Sequence, residues 1–502
     1  MQKIKLFTIL WCLFVFFILT GAAEGFRLND TMEFNLKVQT RASIATEDVE
    51  GYTVPGDIDA GELVQHRNLC YIEFNHDLKN FDFPYKTRVK YHLLGRFLYE
   101  GIYDYGPNSF QDVKDQNEDE INDFRKESKL REGYVDISTG ALFTRIGRQN
   151  LSWGETDIFR VVDQINPLDN TYGGIFEDLD DRRIPLDMIR LSYNLGKIGT
   201  VSSFTFEGFA SPGFIENKVA PMAPYGTRYS APSPDLGIPV VRHKPKKNMR
   251  SSRFGIRATG VIGDNFNYAI THMRTYLDTP SVRLAGNLFD PSTYVQEIVN
   301  KTVDITGASL NFYESFTDTV IRSEVALYWN EPVFMPNFNG VYDFDPLTGD
   351  FTGKIPDKKV IHFVTGFDKN LWIRPLNRTQ TFFVTCQYLG TYVRDYDEAM
   401  AQAVPVYPEA TGNGGLGVYP RTKRYEQAIT GIVSTSYWHG NIEPQIAVAY
   451  DVRGAWFIQP QVIFKNDPWR FLIQYSTISG NFTNFGVLGD RDQFTCAITL
   501  QL

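Results

Sequence analysis

Cysteine is nearly absent: the 502 residues hold 4, and Cys12 lies inside an N-terminal apolar stretch. The others, Cys70, Cys386 and Cys496, are odd in number and do not support a disulfide framework. Each sits on the apolar phase of an alternating run: Cys70 with Ile72 and Phe74, Cys386 with Phe382 and Val384, Cys496 with Phe494 and Ile498. They read as small hydrophobes on a sheet face. Long apolar runs are also missing. Beyond the first 23 residues no stretch could form a membrane-spanning helix, and the mean hydropathy is only -0.26. Positive charge is not in surplus either; a net charge of -9 argues against a nucleic-acid partner. The histidines, at 66, 76, 92, 243, 272, 362 and 439, show no metal-ligand spacing. No nucleophile motif and no phosphate-binding glycine loop appears, so no cofactor or metal is expected.

What is present begins with an export signal. Lys3 and Lys5 precede an apolar run from Leu6 to Leu19 broken only by Thr8, and Gly21-Ala22-Ala23 supplies small residues for cleavage before Glu24. The run is shorter than the roughly 20 residues a spanning helix needs, so residues 1–23 read as a cleaved signal peptide. No cysteine follows the small residues, which argues against a lipoprotein anchor.

The rest of the chain alternates. In the last strand Phe494, Cys496, Ile498, Leu500 and Leu502 interleave with Gln493, Thr495, Ala497, Thr499 and Gln501. In the first, Met32, Phe34, Leu36 and Val38 interleave with Glu33, Asn35, Lys37 and Gln39. Strict alternation puts one apolar and one polar face on a β-strand. About eighteen such runs follow one another with no low-complexity linker or composition break, so residues 24–502 read as one domain. Connections alternate between tight turns, such as Ser138-Thr139-Gly140, Gly196-Lys197, Gly263-Asp264 and Thr317-Asp318, and long segments near 102–130, 150–185, 211–251, 277–302, 331–357 and 393–422. Val452-Arg453-Gly454 breaks the rule by being short where a long loop is due. An export signal, alternation hidden from averaged hydropathy, 14% aromatics and two classes of loop predict an all-β fold. The expected form is a transmembrane antiparallel β-barrel of about eighteen strands (16–20) in the outer membrane of a Gram-negative bacterium, reached through the periplasm. Short turns would face the periplasm and long loops the exterior. Pro444 and Pro460, inside neighbouring strands, each remove a ladder donor and predict local bulges.

The densest chemistry lies between Arg145 and Arg183. Arg145, Arg148, Gln149, Trp153, Glu155, Asp157, Arg160, Asp163, Asn166, Asp180 and Arg182 are the pore or constriction candidates. A long segment of mixed charge can fold inward and set a transverse field across a pore, in which case Arg148→Ala or Glu155→Ala changes ion selectivity. It can equally be an extracellular loop whose Arg–Asp pairs only hold its shape. Trp153 fits packing against the wall as well as contact with solute.

Gly147-Arg148-Gln149, Trp153-Gly154-Glu155 and Ile165-Asn166-Pro167-Leu168-Asp169 together resemble a proteobacterial outer-membrane family catalogued as domain of unknown function 1302. Ser436-Tyr437-Trp438-His439-Gly440 with Glu443-Pro444, and Arg491-Asp492 before the last strand, resemble it too. The resemblance implies a porin-like outer-membrane protein and, less specifically, a channel for hydrophobic compounds.

Two further segments have bland and sharp readings. Asp112, Asp115, Glu118, Asp119, Glu120, Asp123 and Glu127 suit a solvated acidic loop better than a divalent-cation site bridging to lipopolysaccharide. Arg242, His243, Lys244, Lys246, Lys247 and Arg250 suit an exposed basic loop better than an anion site. The leading expectation is therefore a channel for passive diffusion of small solutes, inserted by the barrel-assembly machinery among outer-membrane lipid and lipopolysaccharide. Homo-oligomers are compatible with it. The rivals are a plugged barrel passing hydrophobic compounds, an outer-membrane hydrolase barrel using His272 or His362, and a secreted glycan-binding β-protein.

Overall fold

A computed structural model of the chain describes residues 26–48, 57–116, 118–156, 159–213, 215, 229, 239–246, 248–333, 342–397, 423–481, 484–489 and 491–502. Residues 1–23, read above as a signal peptide, and Asp157 lie outside the described residues.

Eighteen antiparallel strands, from Met32–Ala45 to Gln493–Gln501, each pair with the next in sequence around one sheet. The sheet closes on itself where the last strand pairs with the first, Lys37↔Gln501 through Ala45↔Gln493. Closure removes the unpaired edges that a membrane interior forbids. A nineteenth piece, Phe26–Asn29, pairs with residues 32–34 beyond the point where Leu502 and Leu36 exchange hydrogen bonds of 2.9 and 2.8 Å. It prolongs the place of the final strand rather than adding a turn to the barrel.

The period of two holds around the whole wall. Ile189, Leu191, Tyr193, Phe206, Ile256, Ile270 and Val325 project outward and are exposed, while their neighbours Met188, Phe209, Gly255, Thr271 and Glu324 are buried inside. Cys70, Cys386 and Cys496 are free thiols on the outward phase. Such an exposed apolar band is the surface that lipid covers. Outward aromatics mark both ends: Tyr450 stacks on Trp456 (4.1 Å) near the long loops, and Phe266 on Phe312 (5.8 Å) near the short turns.

Three expectations change. The prolines cause no bulge: the strands Ile442–Asp451 and Ala455–Asn466 pair in unbroken register through Pro444↔Val462 and Ile446↔Pro460. On its other side, Pro460 falls in a gap where the ladder to Trp469–Gly480 pauses between Ile458↔Thr477 and Gln461↔Gln474. Two residues are skipped on each strand across that gap, so the missing donor opens the ladder without shifting its register. The acidic segment is not a loop but two helices, Asn108–Gln116 and Glu118–Arg125. Phe110, Val113, Ile121 and Phe124 are buried with Leu69 and Leu98 of the wall, leaving Asp112, Asp115, Glu118, Asp119 and Asp123 exposed. Glu127 has left the acidic face and pairs with Arg96 in the wall. Finally, long connections carry a second sheet, Tyr342–Phe344, Asp350–Gly353, Ser281–Asn287, Asp290–Val299 and Val240–His243 in spatial order. The basic segment joins it through His243, whose ring lies 2.9 Å from Glu297; Lys246 and Arg250 stay exposed, and Lys247 lies outside the described residues.

Candidate functional site

Residues 150–185 leave the strand Leu142–Gln149 and turn into the barrel. The turn starts from Gly147, whose φ of +134° favours glycine. A Cβ there would come within 2.2 Å of the Gly133 carbonyl oxygen. The following residues are gathered by Asn166, a buried side chain that accepts from the Leu151 N–H (2.9 Å) and donates to the Ile184 carbonyl (2.9 Å). The segment's two arms also meet at Leu168↔Arg183, and Arg183 joins Asp163 and Asp180.

From there the segment reaches strands all round the wall. Trp153 is buried edge-on to Phe209 (5.1 Å), and its indole N–H donates to Glu207. It lies over Gly255, where a Cβ would come within 3.1 Å of the indole ring. Glu324, buried in the strand Thr319–Pro332, accepts from the backbone N–H groups of Glu155 and Val162, the latter at 3.1 Å. Arg322 donates to the Glu155 carbonyl (2.6 Å) and Tyr328 to that of Val161 (2.6 Å). Thr275 donates to Gln164 (2.6 Å). On the other side Glu177 pairs with Arg41 (3.2 Å) and Arg67, and Phe176 meets Phe457 (5.8 Å). Burial pushes the Glu177 carboxyl up, but the two guanidinium groups outweigh it and hold it below its ordinary value.

The inner wall facing the segment is apolar. Leu151, Trp153, Val161, Val162 and Ile165 share one buried cluster with Met188, Met273, Val303, Ile305, Val360, Val364 and Leu389. The lumen half next to the long loops is thus filled. Toward the short turns, beneath the segment, a cavity of about 460 Å³ is lined mostly by polar residues, Lys37, Tyr71, Glu73, Glu132, Asp180 and Asp181 among them.

The sequence candidates divide accordingly. Gln149, Trp153, Asp163, Asn166 and Arg182 are buried inside. Glu155 engages through its backbone, and Arg160 pairs with Asp278. Arg145 faces the lumen from the wall, held by Asp136 at 2.6 and 2.8 Å and lying 3.8 Å over the Tyr134 ring. Asp180 is exposed and lines the cavity beneath the segment. Arg148 is a correction: alternation puts it on the outer face, beside the equally outward Asp187 at 2.9 and 3.0 Å. A residue one position from Gly147 and Gln149 cannot share their side of the sheet. Arg148→Ala is therefore expected to leave the reversal potential in a salt gradient unchanged, and a shift of selectivity would place this side chain in the pore after all. His272 and His362 lie on opposite faces, beside Thr306 (2.9 Å) and Glu331 (2.7 Å), and form no common site.

Sequence reading missed Glu324, Glu207, Tyr328, Arg41, Arg67 and Glu177. Their signal was weak, because the polar phase of a barrel strand carries such residues everywhere and Glu177 is one carboxylate among many in its segment. Among the described residues no cluster of three or more metal-ligating side chains is present.

The family model described as "Protein of unknown function (DUF1302)" matches residues 72–502. No curated protein sequence matches the chain. Among solved structures, the outer membrane protein OpdK of Pseudomonas aeruginosa is 9% identical, with 95% of this chain and 100% of that chain covered and a TM-score of 0.47. OccAB1 of Acinetobacter baumannii is 10% identical, with 96% and 98% covered and a TM-score of 0.47. The outer membrane channel DcaP of the same species is 10% identical, with 95% and 99% covered and a TM-score of 0.40. Likeness at this level carries no argument about what passes through this barrel.

Proposed function

Since the chain belongs to the DUF1302 family, whose description assigns no activity, its function has to be read from its own geometry, and we propose an outer-membrane channel for small solutes whose lumen is constricted by residues 150–185. In this reading residues 1–23 direct export and are removed, the barrel-assembly machinery inserts the folded wall, and lipid and lipopolysaccharide cover the outer band.

One observation carries the proposal. The segment touches the inner wall on opposite sides, at Glu324 and at Arg41, Arg67 and Phe457, above an open polar cavity. A barrel of this strand number encloses an aqueous lumen unless something fills it. A filling held by a few buried polar contacts can narrow the path and respond to what enters it. Conductance of the purified protein in planar bilayers tests the reading. Small discrete steps, well below those of an open barrel of this strand number, are expected. Complete silence from folded, inserted protein at every voltage would overturn it.

A second reading has its own support. The apolar lining of Met188, Met273, Val303, Ile305, Val360 and Val364 suits a hydrophobic compound better than an ion. Silence towards ions with uptake of an apolar dye into vesicles would favour that reading.

A further inference from the structure

Arg182 ends the short helix Leu179–Arg182 inside the lumen, 7% exposed. Its Nη1 donates to the Asn170 side-chain oxygen at 3.2 Å, and its buried Nε–H has no acceptor. Among the described residues no carboxylate lies within ion-pair distance of it; Glu177, Asp278 and Asp178 act on it only from farther off. Every other arginine of the segment has a partner: Arg183 has Asp163 and Asp180, and Arg160 has Asp278. Arg160, with its side chain 3% exposed, is the neighbour whose charge acts most strongly against that of Arg182, and it too carries a buried Nε–H without acceptor. Burial first, and Arg160 second, push the Arg182 guanidinium down to about 10. Arg253, 1% exposed on the adjoining wall, feels the charges of both Asp278 and Arg160.

Three buried cations therefore gather where Asp278 is the carboxylate that acts on all of them. An isolated buried charge is expensive unless something pairs with it. Replacing Arg182 by a neutral residue would remove that cost. Arg160 also borders a cavity of about 140 Å³; Arg182 does not line it, and its two carboxylates, Glu426 and Asp451, are already paired with Arg453. The donors left over, the Nε–H groups of Arg182 and Arg160, belong to guanidinium groups, whose geometry matches planar or tetrahedral oxyanions.

We infer that the constriction holds an oxyanion-binding site centred on Arg182, with Arg160 alongside, which takes a carboxylate or phosphate group of a solute. The binding itself stands on these side chains; its consequence for permeation, a preference for anionic solutes, rests on the channel reading above.

The test is thermal unfolding of the full-length mature protein in detergent, with sodium phosphate, sodium acetate and, as cationic control, ethylammonium chloride, each at matched ionic strength. Phosphate or acetate should raise the melting temperature of the wild type in a saturable manner, and ethylammonium should not. Arg182→Met should unfold no lower than wild type without anion, because an uncompensated charge has gone, and should lose at least tenfold in anion affinity. Arg182→Lys should recover part of it, and Arg148→Gln on the outer wall should bind as wild type does. If Arg182→Met fails to fold by the heat-shift assay on a gel, Arg160→Gln carries the same expectation of weakened binding. Absence of any saturable anion effect on wild type, or an equal effect on Arg182→Met, overturns the site. Binding without conductance would leave the site standing and remove the channel instead.

Discussion

Replacing residues 154–182 by a flexible glycine-serine linker is expected to raise single-channel conductance by roughly an order of magnitude or more, since eighteen strands enclose a water-filled bore once nothing occupies it. The wall should survive the change. Its pairings run strand to neighbouring strand and close through residues 37–45 and 493–501, none of which involves the segment. The cost falls on the inner lining, because Met188, Met273, Val303, Ile305 and Val360 would then face water. A lower melting temperature with retained heat-dependent gel migration is the expected companion result. Conductance equal to wild type in a folded deletion variant would mean that the segment does not limit the path.

Glu324→Ala should have the second-largest effect. The carboxylate accepts both the Glu155 and the Val162 N–H groups, so alanine leaves two buried donors without acceptors. Each such group costs about 1–3 kcal/mol. The balance between docked and displaced segment should move toward displacement by roughly 30- to 25,000-fold. The readout is gating: long-lived openings absent from wild type, with the barrel's own stability little changed. Glu324→Gln keeps one acceptor oxygen and should fall between the two. The contacts of Tyr328 and Thr275 remain in both variants, so partial rather than complete release is expected. Alanine traces that cannot be told from wild type would show that Glu324 does not hold the segment.

The barrel was legible because its wall obeys a rule of period two that sequence displays directly. Ile442, Pro444, Ile446, Val448 and Tyr450 stand outward and Glu443, Gln445, Ala447 and Ala449 inward, as the alternation reads. Tight turns and long connections were legible for the same reason, down to the short Val452-Arg453-Gly454 link. The filled lumen was not. Alternation says which residues face inward but not what they meet there, so Met188, Ile305 and Val360 carry no mark separating a plug-facing residue from any other. The partners of the segment lie far off in sequence: Glu324 is 169 positions from Glu155 and Phe457 still farther from Phe176. Arg148 went wrong for a simpler reason. Gly147-Arg148-Gln149 was weighed as one motif, although neighbouring residues of a strand belong to opposite faces. The acidic helices hid behind their charge, since Phe110, Val113, Ile121 and Phe124 are few among many carboxylates.

The central claim is that the 150–185 segment crosses the lumen to the far wall, and a cross-link across the bore tests it most directly. In a background with Cys70, Cys386 and Cys496 replaced by serine, Phe176→Cys is paired with Phe457→Cys, two positions whose rings meet at 5.8 Å. Cells carrying the pair are treated with a short membrane-permeant bis-maleimide, and the denatured protein is run on a gel. A bridge between positions so far apart in sequence makes a large covalent loop that migrates abnormally, and that band is the predicted result, absent from either single variant. No bridge, together with labelling of the Phe176→Cys single variant by a membrane-impermeant maleimide added outside the cells, would place the segment outside the barrel and contradict the account.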